Sequence, residues 1–203
     1  MRSDEAQGQY RASGWYSRGY HPHLDERALV QSVGFRLADS VPQHLLRRWR
    51  AEQEQEEGVL DKVKAARLAS RVSRFEDAGY GACYLRRPSI AALVEHALLH
   101  GDGDLYRLIE WCVMPNHIHV LVEPLRCPLA DIVRTWKSST ARRANRILRR
   151  SGTFWMRDYY DRYIRDLRHF EAARRYIWLN PVKAGLCREA ADWPWSSARL
   201  HEK

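Results

Sequence analysis

Two histidines one residue apart, His117 and His119, sit inside the apolar run MPNHIHVLVEP. Side chains of a strand alternate between faces, so His117, His119, Leu121 and Glu123 share one face. Ile118, Val120 and Val122 share the other, which reads as the core face. Two imidazoles side by side are half of a divalent-metal site, or merely packed histidines; further ligands elsewhere in the chain must decide. One candidate lies in YIWLN, where Tyr176 and Asn180 are four apart and project from one face of a helix. The stripe Phe170, Ala173 and Ile177 points that helix inward and leaves Tyr176 and Asn180 on its flank, able to face the histidines. A phenol with a pKa of about 10 is a poor nucleophile at neutral pH. It becomes useful beside a metal that polarises a phosphodiester. Attack on DNA would leave a phosphotyrosine link and a free 3′ hydroxyl. The energy of the broken bond is retained, so strands can be rejoined.

The elements that must position these groups belong to a chain of 203 residues, which favours one domain with an elaboration. Hydrophobic content of 45% and charged content of 29% suit a globular protein. No uninterrupted apolar run approaches the roughly 20 residues needed to span a bilayer. The N-terminus MRSDEAQGQYRASG has no apolar signal core, so a cytoplasmic, nucleoid-associated location without membrane contact is expected. Cys83, Cys112, Cys127 and Cys187 are scattered without C-x-x-C spacing, which argues against a zinc ribbon and a disulfide framework. The formal charge is +9, and Asp131–Arg175 alone holds 13 Lys/Arg against 5 Asp/Glu. A basic surface confined to one stretch suits a polyanion such as nucleic acid.

The pattern along the chain predicts an α+β fold. Its core is a ferredoxin-like antiparallel sheet with helices packed on one face, plus a helical insertion after the first strand. Residues 1–27 read as an irregular arm. Leu29–Asp39 reads as the first strand, and residues 42–100 as a helical segment longer than one crossover needs. That segment opens at Pro42, contains the acidic EQEQEE, continues as helix to about Arg74, and ends in SIAALVEHALLH with Ser89 as N-cap. Residues 105–180 hold a strand pair turned at Pro115–Asn116, a basic helix, an aromatic strand over Thr153–Asp166, and a last helix ended by Pro181. Residues 181–203 form an irregular, Trp-rich tail. In the basic helix Ile132, Trp136, Ala144 and Ile147 point inward. Arg134, Lys137, Arg142, Arg143 and Arg146 point outward as candidate phosphate contacts, which position DNA without reading its sequence.

The runs WCVMPNHIHVLVEP, WKSSTARRAN, WMRDYYDRYIRD, RRYIWLNPVKAGL and DWPWSSAR resemble the REP-associated tyrosine transposases. These are single-tyrosine members of the HUH-endonuclease superfamily, with Ile118 here in the bulky middle position of the triplet. The triplet alone is weak; MPNHIH followed about sixty residues later by tyrosine-x-x-x-asparagine and Pro-Val-Lys-Ala-Gly is far more specific. The resemblance covers roughly residues 29–40 and 105–199. It implies that His117 and His119 are metal ligands, Tyr176 the nucleophile and Asn180 the polar third ligand. It further implies Mg²⁺ or Mn²⁺ as the metal, and as substrate single-stranded DNA folded into short REP-like hairpins. Monomer and homodimer both remain open.

Competing readings come from the same residues. Tyr159, Tyr160 and Tyr163 alternate in an aromatic strand, where packing is the expected role, and none has an asparagine four residues on. His21 and His23 share the H-x-H spacing but flank Pro22 outside any apolar pattern, and read as incidental. Trp193 and Trp195 read as pinning the tail, with base stacking as the alternative. Two other functions use the same parts. A hairpin-binding regulator would keep the basic helix without catalysis, and a metal-dependent phosphodiester hydrolase would dispense with the covalent tyrosine.

Overall fold

Alternation along one strand organises the sheet. In β3 (Gln31–Arg36) Val33 and Phe35 are buried on one face, and in β5 (His117–Pro124) Ile118, Val120 and Val122 join them. The two strands pair antiparallel with Val33 opposite Val120 and Phe35 opposite Ile118, so their apolar sets fall on the same side. β4 (Tyr106–Val113) pairs with the other edge of β5, with a bulge between Leu108 and Glu110 that restores the inward register for Trp111 and Val113. β6 (Tyr160–Tyr163) pairs with β3, giving the antiparallel order β4-β5-β3-β6. The computed structural model describes residues 14–17, 22–26, 28–56 and 58–201.

Two helices seal the apolar face. α3 (Pro88–Leu99) brings Ile90, Ala91, Leu93, Val94 and Leu98. α4 (Leu129–Ile147) brings Leu129, Ile132, Val133, Trp136 and Ala144. Each large aliphatic side chain so buried contributes about 1.5–3 kcal/mol. α3 begins at Pro88 with Arg87 as its cap residue, so Ser89 lies inside the first turn: proline, lacking an N–H, is suited to that position. Ile147, expected inward, is exposed because the inward stripe at this end of α4 runs through Ala141, Ala144 and Leu148 and leaves it to one side.

The α+β architecture and four-stranded antiparallel sheet are as expected, with helices on more than one face. α5 (Leu167–Lys183) crosses the side that carries His117 and His119, and Ile177 packs with Leu121, Cys112 and Met114 in a second, smaller core. The side facing away from the main core is therefore also covered. α5 starts at Asp166, whose carboxylate accepts from His169 N–H. It passes through Pro181 to Lys183, because a proline in the last turn forfeits only one bond while Ala184 and Leu186 N–H still close onto Asn180 and Pro181.

The region after β3 resolves into α1 (Gln43–Glu54) and α2 (Asp61–Asp77), joined by Leu46, Trp49, Leu68, Val72 and Phe75. The aromatic strand expected over Thr153–Asp166 shortens to β6. Before it the chain runs irregularly, held by a bridge from Trp155 to Leu37 and by Trp155 Nε1–H donating to Thr140. The tail straps β4: Val113 N–H donates to Trp195 O, Trp193 Nε1–H donates to Val113 O, and Trp195 packs against the main core. Both tryptophans pin the tail.

The arm contains an antiparallel pair, β1 (Gly14–Ser17) with β2 (Pro22–Asp25). His23, expected to be incidental, is fully buried between Asp161 and Asp158, its Nδ1 on Asp161 and its Nε2 3.3 Å from Asp158. Burial alone would lower its pKa, but the two carboxylates outweigh that and raise it to about 9. His21 and residues 1–13 of the arm lie outside the described residues.

Candidate active site

β5 carries both histidines on the face turned away from the main core, as its alternation requires. Their rings are 4.7 Å apart, and His119 meets Tyr176 edge-on at 5.2 Å between ring centroids. The sequence-predicted pairing of the histidine strand with the tyrosine helix is therefore present. Its register is fixed by a buried carboxylate: Glu110 on β4 accepts from Trp178 Nε1–H at 2.7 Å and from Ser197 Oγ–H at 2.6 Å, tying α5 and the tail to the sheet.

Asn116 sets the state of His117. Its side-chain N–H groups donate to Glu76 O at 3.1 Å and Tyr80 O at 2.9 Å, so its carbonyl oxygen must face His117 Nδ1, 2.7 Å away. Nδ1 then carries the proton and Nε2 keeps a bare lone pair. Burial, reinforced by His119 and Arg36 nearby, holds His117 well below the ordinary imidazole range, and burial pushes His119 down to about 4. Both rings are neutral at pH 7, the form that binds metal. The Nε2 atoms of both histidines are buried and meet no hydrogen-bond partner among the described residues.

α2 supplies what the sequence reading missed. Its last turn brings Asp77 to the histidines, with Oδ1 3.6 Å from His117 Nε2; the ligand atoms of Asp77, His117 and His119 lie within 4.8 Å of one another. One turn earlier, Ser73 Oγ is 2.9 Å from the Tyr176 hydroxyl. Arg36 on β3 pairs with Glu76 at 3.2 Å; burial raises that carboxyl to about 7 against the pull of the arginine. The available signal was the spacing in RVSRFED, which puts Ser73 and Asp77 four apart beside the stripe Leu68, Val72 and Phe75.

Tyr176 is partly buried between the two helices. Burial raises its phenol, as does the negative charge of Asp77, while the hydrogen bond with Ser73 opposes this. Lys183 Nζ lies 5.2 Å from the ring centroid. Asn180, one turn on, is buried, and its side chain acts on the Tyr176 hydroxyl, opposing the rise of the phenol as Ser73 does. His117, His119, Tyr176, Ser73 and Asp77 line one cavity of about 610 Å³ between the sheet, α2 and α5.

The basic residues divide by location. Arg36, Arg50, Arg74 and Arg162 line the cavity. α4 packs on the opposite face of the sheet, so Arg134, Arg142, Arg143 and Arg146 are exposed on its outer side, away from the tyrosine. Arg134 pairs with Asp131 at 3.0 Å. Lys137 is turned inward, donating to Arg157 O at 2.7 Å and Asp158 O at 3.4 Å, and burial lowers its pKa to about 8.

Comparison with known proteins points the same way. Residues 101–180 match the family described as Transposase IS200 like. A REP-associated tyrosine transposase of Escherichia coli is 24% identical over 106 residues, covering 52% of this chain and 62% of that protein. A relative from Haemophilus influenzae, named for the same family, is 28% identical over 103 residues, 45% of this chain and 58% of its own. The chain thus spans less than two thirds of the length of these curated relatives. A solved REP-associated tyrosine transposase bound to a REP hairpin superposes with a TM-score of 0.57 at 15% identity, covering 90% of this chain and 84% of that one. That likeness is one of fold. The chain resembles the REP-associated tyrosine transposases in sequence and in architecture. Among the described residues no helix is long and apolar enough to cross a membrane.

Proposed function

We propose that the protein is a metal-dependent, single-tyrosine transposase. It would nick and rejoin single-stranded DNA bearing REP-like hairpins, through a 5′-phosphotyrosine intermediate, at the nucleoid in the cytoplasm. One observation carries this reading: Tyr176 lies ring-to-ring against His119, in the same cavity as the two unpartnered imidazole nitrogens. The resident metal would be Mg²⁺ or Mn²⁺, held by His117 and His119 with oxygen donors around them, Asn180 among the candidates. Two neutral imidazoles whose Nε2 atoms lack hydrogen-bond partners among the described residues fit such an ion. A bound divalent ion would polarise the scissile phosphate.

The remaining work falls to the chain itself. Tyr176 Oη attacks phosphorus, the P–O3′ bond breaks, and the tyrosine becomes joined to the 5′ phosphate. The phenol gives up its proton as the bond forms, and the departing 3′ oxygen leaves as a hydroxyl. Ser73 holds the phenol in place, and Lys183 over the ring favours the developing phenolate. Arg50, Arg74 and Arg162 bring positive charge for a strand backbone to a cavity also lined by Asp77, Asp158 and the Arg36–Glu76 pair. Arg134, Arg142, Arg143 and Arg146 would meet the phosphates of the hairpin outside it.

The test is a denaturing gel of labelled single-stranded hairpin DNA incubated with Mg²⁺ or Mn²⁺. Wild type should yield a denaturant-resistant protein–DNA adduct and Tyr176→Phe none. Cleavage by both proteins without adduct would replace this reading with hydrolysis. Binding without cleavage across hairpins and metals would replace it with a regulatory role.

A further inference from the structure

Building on the metal-dependent reading above, we propose that Asp77, from the last turn of α2, is the carboxylate ligand that completes the metal site with His117 and His119. Three candidate ligand atoms lie together there: Asp77 Oδ1, His117 Nε2 and His119 Nε2. Each is buried and without a hydrogen-bond partner among the described residues. Buried polar atoms left together without partners are costly unless an ion lies between them.

A salt bridge between Asp77 and His117 does not account for the arrangement. At 3.6 Å the Oδ1–Nε2 contact is too long for a hydrogen bond. Asn116 also assigns the proton of His117 to Nδ1, so Nε2 offers Asp77 a lone pair and not a donor. Two acceptors facing each other at this distance repel. Two ligands held at about 2.1 Å from one octahedral ion, by contrast, stand about 3–4 Å apart. The set of one carboxylate oxygen and two imidazoles is mixed and hard enough for Mn²⁺ or Mg²⁺, and one negative charge offsets half of the ion's.

The backbone that places Asp77 is tied to the backbone that places His117. Asn116, next in chain to His117, donates to the carbonyls of Glu76 and Tyr80, which bracket Asp77. The same helix face presents Ser73 to Tyr176 one turn earlier. α2 therefore reaches the ion and the nucleophile from one rigid element, and the insertion becomes part of the active site.

The experiment is calorimetric titration of the metal-stripped full chain with Mn²⁺, checked by Mn²⁺ electron paramagnetic resonance. Asp77→Asn should weaken binding at least tenfold, while Asp61→Asn, the same change at the exposed first turn of α2, should stay within twofold of wild type. Asp77→Cys guards against a folding artefact: it should lose Mn²⁺ affinity and gain Cd²⁺ affinity over wild type, since a thiolate prefers the softer ion. Asp77→Asn binding Mn²⁺ within twofold of wild type, or a wild type that binds none, overturns the assignment. The adduct assay on wild type separates the two ideas. An adduct with Asp77-independent Mn²⁺ binding sinks only the ligand assignment. Asp77-dependent binding without any adduct sinks only the covalent chemistry.

Discussion

The two sides of β5 contrast within eight residues. Ile118, Val120 and Val122 are fully buried against α3 and α4, and their side is apolar. His117 and His119 face a cavity in which three buried ligand atoms lack hydrogen-bond partners among the described residues and burial raises the Glu76 carboxyl to about 7. One side gains stability by excluding water; the other gives some up to hold reactive groups in place. The contrast implies that alternate residues of one strand separate stability from activity, and substitutions can test this directly.

The largest effect expected is on the chemistry. Tyr176→Phe should abolish the covalent adduct, at least a thousandfold below wild type by gel quantification, because the hydroxyl that would form the link beside His119 is gone. His119→Ala should likewise lose Mn²⁺ binding and cleavage. Its chemical-denaturation stability should change by only about 1 kcal/mol, since a buried nitrogen without a partner adds little to folding. Ile118→Ala, its chain neighbour, should do the reverse. It should cost about 2–5 kcal/mol in urea unfolding and leave adduct formation per folded molecule within a few-fold. Equal losses of stability for His119→Ala and Ile118→Ala would erase the contrast.

A third buried histidine sharpens it. His23 is enclosed like His117 and His119, yet it sits between two aspartates and its pKa rises to about 9 where theirs fall. A folded pKa above the unfolded value means stability that is complete below about pH 6.5 and lost as pH rises through about 9. The thermal midpoint of wild type should therefore exceed that of His23→Gln most at pH 6–7, and the gap should close by about pH 10. A gap constant with pH would make His23 a neutral packing residue. The smallest effect belongs to the outer face of α4. Arg142→Ala with Arg143→Ala should leave cleavage of saturating DNA intact and lower the slope of log affinity against log salt by about 1 per arginine.

Much of this was legible in the chain. Period-2 alternation separates Ile118 from His119 without any knowledge of neighbours, and helical spacing puts Tyr176 and Asn180 on one flank. These are local geometric facts, so the sequence determined the strand, the tyrosine helix and the chemistry their residues suggest. Tertiary structure decided which groups meet. Asp77 and Ser73 lie forty or more residues from the histidines, on a helix that reads as a mere insertion, and only the docking of α2 beside β5 makes them part of the site. His23 reads as a loop residue because nothing in GYHPHLD shows that Asp158 and Asp161 will enclose it. The basic helix is evident from its arginines, but its place on the far side of the sheet from Tyr176 follows from where Trp136 and Ile132 pack. Spacing along a chain fixes which side chains share a face. Burial and charge depend on what the rest of the chain lays against that face.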